Sequence, residues 1–131
     1  MLVAFIIICI HWFADFVCQT DWQAKNKSSN NKALLEHTFH YSLVWYAVMV
    51  VFAVWGNHFH GPSIDQLGWK PLMLLFPIAT FVCHTIQDYF TSRLNTYLWK
   101  KGDVHNFFVS IGFDQVLHYA QLIFTYYLFT K

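Results

Sequence analysis

Long apolar stretches alternate with short polar ones along the whole chain. The apolar stretches cover residues 2–22, 33–55, 71–99 and 107–130. The segments between them are rich in Asn, Ser, Gly and Lys, which is typical of turns and loops. A run of about 20 apolar residues is long enough to cross a bilayer as a helix. The pattern therefore predicts an all-α, polytopic membrane protein, with residues 1–131 forming a single domain that is a four-helix antiparallel transmembrane bundle.

Composition and charge strengthen this prediction. Hydrophobic residues make up 56% of the chain and charged residues only 11%, whereas about a quarter of the residues in a soluble domain are charged. This chain has too few charged side chains to cover a water-exposed surface. Its formal net charge of +1, without a basic helix, gives no reason to expect nucleic-acid binding.

The basic residues predict an orientation. Most of them lie in the first and third loops, as Lys25, Lys27, Lys32, Arg93, Lys100 and Lys101. Short loops rich in Lys and Arg stay on the cytoplasmic side of a membrane. We therefore expect a multi-pass protein of the cytoplasmic membrane with both termini outside the cell.

Histidine and aspartate recur four residues apart in three of the apolar segments. The pairs are His11–Asp15, His84–Asp88 and Asp114–His118. Residues four apart lie one above the other on a helix. The order is reversed in the last segment, which runs in the opposite direction to the other two, so each Asp is expected on the cytoplasmic side of its His. The pairs should therefore meet at one depth, where His37 or His40 of the second segment can join them.

Three carboxylates close together in a low-dielectric interior need compensation. A bound metal, shared protons or protonated histidines could each supply it. Mixed His/Asp ligation from facing helices suits one or two ions of Zn, Mn or Fe. The candidate metal ligands are His11, Asp15, His37, His40, His84, Asp88, Asp114 and His118. The candidate catalytic residues among them are Asp15, Asp88 and Asp114.

These motifs, in this order, resemble a family of small bacterial and phage membrane proteins known as domain of unknown function 3307. The resemblance rests on His11, Asp15, Phe16, Gln19, Lys25, Lys27, His37, His84, Asp88, Asp114, Gln115 and His118. It implies a four-span protein, here of the bacterial inner membrane. Arg93 is the candidate for a basic residue that follows the third-segment Asp in the family. A looser similarity, in architecture and His/Asp content, is to membrane-bound metal-dependent hydrolases.

We therefore expect a metal-dependent hydrolase whose site lies in the cytoplasmic half of the bundle and acts on a lipid or a phosphoester. Two alternatives remain. In a structural or interaction protein, for example a phage-encoded partner of a host system, the pairs would serve only to hold the helices together. They could also form a proton or ion conduit. The expected partners are the lipid bilayer and either further copies of the chain or another protein.

Overall fold

The structure is a computed structural model that describes residues 2–55 and 71–130. Its helices are α1 (Leu2–Trp12), a π-helical turn (Phe13–Val17), α2 (Asp21–Asn26), α3 (Asn31–Trp55), a 3₁₀ turn (Pro71–Leu75), α4 (Phe76–Lys100) and α5 (Val104–Thr130). The described residues contain no strand, which confirms the all-α prediction. Among them, α5 alone is long and apolar enough to cross a membrane, and residues 2–17 form a shorter apolar helix. The predicted second loop, residues 56–70, lies outside the described residues.

The first predicted segment ends earlier than expected. Helix α1 widens into the π turn, where the Cys18 N–H donates to the Phe13 carbonyl at 3.0 Å. A new helix then begins, because the Thr20 hydroxyl accepts from the Gln23 N–H and the Gln23 side chain accepts from the Thr20 N–H. Such a reciprocal capping box stabilises a helix start. The prediction that the segment continued to residue 22, followed by a loop up to residue 32, was therefore wrong.

A tight turn joins α4 to α5. Gly102 has a φ of 74°, which is a left-handed conformation that glycine adopts without steric cost. Asp103 then caps α5 by accepting from the backbone N–H of Asn106 at 3.3 Å. As a result α5 begins at Val104, three residues before the predicted start at 107. At the other end of α4, Pro77 lies in the first helical turn, where proline removes no helical hydrogen bond.

Neighbouring long helices run antiparallel. Thr85 on α4 donates to Thr38 on α3 at 2.9 Å. Earlier on α4, Phe76 packs against Trp45, which lies later on α3. Residue numbers thus fall along one helix as they rise along the other. The turn at residues 101–103 sends α5 back along α4 in the same way.

Ionisable side chains are buried in this structure and many large apolar side chains are exposed, the reverse of the usual arrangement in a soluble protein. At one end of the helices the core is apolar and consists of Ile7, Trp45, Met49, Met73, Phe76 and Leu122. Next to it lie buried histidines and aspartates. Large apolar side chains point outward instead, and Phe5, Phe90 and Phe124 are each more than 60% exposed. The helices therefore enclose a polar centre and present an apolar exterior.

Candidate metal centre

Four buried side chains from three helical elements converge on one point. Asp15 comes from the π turn, His37 from α3, and His84 and Asp88 from α4. One ligand atom from each lies within 4.8 Å of the others. His37 Nε2 is 3.1 Å from Asp15 Oδ1 and 3.3 Å from Asp88 Oδ2. His84 Nε2 is 3.2 Å from His37 Nε2 and 3.4 Å from Asp15 Oδ1. We call this set the four-residue group.

These separations are those of metal ligands. A tetrahedral site with metal–ligand bonds of about 2.0–2.1 Å has ligand atoms roughly 3.3 Å apart. The separations within the four-residue group run from 3.1 to 3.6 Å. The buried His/Asp group could therefore hold a metal ion.

A second group shares Asp88 with the first. It consists of Asp88, Asp114 and His118, which we call the three-residue group. His118 Nε2 lies 3.2 Å from Asp88 Oδ1 and 3.3 Å from Asp114 Oδ1. Asp88 Oδ2 faces His37 at 3.3 Å, whereas Asp88 Oδ1 lies 3.6 Å from His84 and 3.2 Å from His118 and so borders both groups. A carboxylate in this position can bridge two ions about 3.5–4 Å apart.

Lys27 was not among the predicted site residues, yet it contacts the centre. Its ammonium donates to Asp88 Oδ2 at 2.7 Å and lies 3.4 Å from His37 Nε2, with only 18% of the side chain exposed. Burial opposes the charged form, but the Asp88 and Asp15 carboxylates outweigh it and raise the pKa of Lys27 above its ordinary value. With Asp114 as the third carboxylate, one lysine leaves two negative charges, which a divalent cation or two protonated histidines of the centre would balance.

Helix α2 is held against α3 by Gln23. This side chain is 1% exposed, and its Nε2 donates to Nδ1 of His40 at 2.9 Å. One helical turn later, the Lys27 N–H donates to the Gln23 carbonyl, so the position of Gln23 determines that of Lys27. His40 itself is exposed and is not part of either ligand group. His37, three residues earlier, occupies the inward face instead.

His11 lies in the centre but both of its ring nitrogens already have partners. Nε2 is 2.9 Å from the Gln115 carbonyl oxygen, which can only accept, so Nε2 carries the proton. Nδ1 must then accept from the Tyr41 hydroxyl at 2.7 Å. Gln115 is oriented by a hydrogen bond from its Nε2 to Asp114 at 3.3 Å. Both ring nitrogens of His11 are thus in contact with protein groups, and His11 belongs to neither ligand group.

Arg93 lies away from the ligands. Its guanidinium donates to the Asn31 side chain and to the Tyr89 carbonyl, both at 2.8 Å, and lies over the Tyr89 ring. These contacts connect α4 to the start of α3. Arg93 therefore stabilises helix packing at that end of the protein.

The family model described as a protein of unknown function, DUF3307, matches residues 2–131. The chain belongs to this family. No curated protein and no solved structure matches it. The looser similarity to membrane-bound hydrolases therefore gains no support from known proteins. Because the family description names no activity, the functional argument depends on the geometry of the centre.

Proposed function

We propose that this DUF3307 protein is a membrane-embedded, metal-dependent hydrolase that acts on a lipid or phosphoester. The observation that carries the proposal is the convergence of six buried donors from four helical elements, at separations that fit metal coordination. The donors are Asp15, His37, His84, Asp88, Asp114 and His118. Charged side chains in a protein interior need partners, and a divalent ion provides one for several carboxylates at once.

The exposed surface supports a membrane location. Apolar aromatic and aliphatic side chains face outward on α1, α3, α4 and α5. A monomeric soluble protein rarely exposes such continuous apolar surface, and a lipid bilayer would cover it. In a membrane, ionisable residues face the bundle interior, which matches the positions of the buried His and Asp. We propose that residues 2–17, α3, α4 and α5 all cross the bacterial inner membrane.

The proposed orientation has support from a cavity at one end of the helices. Lys25 of α2 and Lys27, which follows α2, line it together with Lys100 at the end of α4. The first and third loops therefore lie on the same side, as the positive-inside rule requires. Labelling with a membrane-impermeant maleimide tests this in a cysteine-free background. A cysteine at Lys25 or Lys101 should react only after the cells are permeabilised, and reaction in intact spheroplasts would contradict the orientation.

The chemistry requires an activated water and a base. A bound zinc ion supplies Lewis acidity and lowers the pKa of a coordinated water to near neutral. The protein residues would fix the position of the ion, because His37, His84 and Asp15 define one end of the centre. Asp114 borders the cavity, and its Oδ1 lies 3.3 Å from His118 Nε2. This oxygen is the proposed general base that takes the proton from water.

Metal analysis of detergent-purified protein is the first test. We expect one or two equivalents of zinc, manganese or iron, lost in Asp15→Ala and Asp88→Ala. His105→Ala is the matched control because His105 is exposed and outside both groups, so this variant should keep its metal. A screen of phosphomonoesters, phosphodiesters and carboxylic esters should then show metal-dependent turnover that disappears in Asp114→Asn. Absence of metal from protein that is folded and monodisperse would contradict the proposal.

A structural role is the second candidate, and one observation favours it. Lys27 and His118 already form hydrogen bonds with Asp88 at 2.7 and 3.2 Å, which would hold α2, α4 and α5 together without a metal. Under this reading Asp114→Asn would lower stability and change no activity. Ion conduction has less support, because the apolar core beyond the polar centre contains Trp45, Phe76 and Leu122, which close the path between the helices.

A further inference from the structure

A cavity of about 740 Å³ leads from the surface to the candidate metal centre between α2, α4 and α5. Asp88, Asp114 and Lys27 lie at its inner end. Lys25 and Lys100 line its outer part. Since Asp88 and Asp114 belong to the three-residue group, any molecule that fills the cavity touches the candidate site. The cavity is therefore the path by which a substrate can reach the ligands.

One side of this cavity is polar and cationic. The polar lining comprises Lys25, Lys27, Ser28, Thr91, Ser92, Asn95, Thr96 and Lys100. Within it the side-chain oxygen of Asn95 is buried without a hydrogen-bond partner among the described residues. Lys27 has one hydrogen bond to Asp88 at 2.7 Å and, as an ammonium, has further donors to offer. Asp88 and Asp114 at the inner end, and Asp21 at 3.9 Å from Lys25, offset the three lysines. With a divalent ion bound at the centre, the net charge of these groups would be positive and would favour an anion with several acceptor oxygens.

The other side is apolar and aromatic. The rings of Trp99 and Phe107 pack at a tilt of 53° with centroids 5.0 Å apart, and Phe108 and Ile111 continue this wall along α5. Phe108 is 63% exposed, so the wall is continuous with the apolar outer surface. An alkyl chain could therefore lie along this wall from the outer surface as far as the polar side.

We propose that the cavity binds a phosphate monoester that carries acyl chains. This rests on the proposed function, because it names the substrate class of the same site. A phosphate monoester carries close to two negative charges and three acceptor oxygens at neutral pH, which matches the lysines at Lys25, Lys27 and Lys100. A choline headgroup would bring a cation toward these lysines. The volume also exceeds what a bare phosphate would fill, since cavities of about 300–1,000 Å³ enclose drug-sized molecules.

The test is native mass spectrometry of the detergent-solubilised protein with three probes. They are dioleoyl phosphatidic acid, dioleoyl phosphatidylcholine and glycerol 3-phosphate. We expect one equivalent of phosphatidic acid to be retained, and neither of the others. Equal retention of phosphatidylcholine would overturn the assignment of a phosphate-monoester headgroup. Equal retention of glycerol 3-phosphate would overturn the part of the proposal that requires acyl chains and would identify a free phosphate monoester as the ligand.

Two variants test whether phosphatidic acid binds in this cavity. Lys100→Met should weaken phosphatidic acid retention about fivefold, as expected for one lysine close to an anionic lipid. Ile111→Trp adds a ring on the apolar wall and should abolish retention. The matched controls are Lys32→Met and Val116→Trp, because Lys32 is paired with Glu36 outside the cavity and Val116 is 58% exposed on α5. Variants that bind like the wild type would overturn the proposal.

Zinc content is measured on the same preparations, which separates this inference from the proposed function. Protein that holds zinc but retains no phosphatidic acid refutes the cavity assignment alone. Protein that retains phosphatidic acid at one equivalent but holds no metal refutes the hydrolase and leaves a lipid-binding site. Should Ile111→Trp fail to fold, Lys100→Met decides the outcome, because Lys100 is an exposed side chain.

Discussion

The contact between Lys27 and Asp88 predicts a large and specific coupling energy. Their charged atoms are 2.7 Å apart, and the side chains are 18% and 2% exposed. At this distance and an effective dielectric constant of about 20, the gross attraction is about 6 kcal/mol. Desolvation offsets much of it. Asp88 keeps its contacts with His37 and His118 at 3.3 and 3.2 Å when Lys27 is removed. The loss should therefore lie at the lower end of the range for breaking a buried pair, about 3 kcal/mol. We therefore expect Lys27→Met and Asp88→Asn each to lower the free energy of unfolding by that amount.

The double variant shows whether the two single variants lose stability because of one shared contact or for two unrelated reasons. With both charges removed, neither the Lys27 ammonium nor the Asp88 carboxylate is left without the other, so the double variant should be more stable than the sum of the single effects predicts. We expect a coupling of about 2 kcal/mol, within the range for residues in contact. The measurement is denaturant unfolding in detergent with a chelator present, followed by tryptophan fluorescence. The chelator removes any metal contribution from the comparison.

A control cycle uses Lys32 and Glu36, which form an i,i+4 pair at 3.7 Å with side chains 78% and 43% exposed. Solvent screens such a pair, and its coupling should be about 0.3–0.5 kcal/mol. If Lys27 and Asp88 gave a coupling no larger than this control, the argument that Lys27 balances the buried carboxylates would be refuted.

Three further predictions test neighbouring features. Tyr41→Phe removes the donor to His11 and should cost about 1–3 kcal/mol of stability; Tyr46→Phe, at an exposed position, should cost nothing measurable, and equal effects would exclude the Tyr41 hydrogen bond as the cause. Thr20→Ala removes one half of the α2 capping box and should cost about 1 kcal/mol in the same unfolding assay, whereas Ser29→Ala, with only a long surface hydrogen bond at 3.4 Å, serves as its control. Zinc at about one hundred times its dissociation constant should stabilise the protein by about 2.7 kcal/mol, measured as a rise in the unfolding midpoint that a chelator reverses; a midpoint indifferent to zinc would argue against the centre.

The four-residue spacing of His and Asp could be read from the sequence because it has a direct geometric meaning. Asp15, Asp88 and Asp114 lie on the inward faces of their helical elements, where the structure brings them together. The choice between His37 and His40 could not be made in this way. Both lie within one turn of α3, and the rotation of that helix depends on contacts with α1, α2 and α4 that the periodicity does not contain.

Two features of the centre depend on side chains from other helices. His11 obeys the same spacing rule as His84, but Tyr41 and Gln115 occupy both of its ring nitrogens. Lys27 was predicted to lie in a loop, where lysine is ordinarily solvated. Its contact with Asp88 follows from α2, a helix too short for its apolar pattern to reveal. The Thr20–Gln23 capping box was the signal in the sequence that could have located it.

The π turn at Phe13–Val17 affects the direction in which Asp15 faces more than it affects formation of the first helix. A π turn contains one residue more than the corresponding α-helical turn, and Asp15 lies within this wider turn. Removing a single residue here would let α1 continue as an ordinary α-helix, with its apolar outer face still largely intact. Asp15, however, would rotate away from His37 and His84. The number of residues between His11 and Cys18 therefore matters for the chemistry of the centre far more than for the formation of the helix.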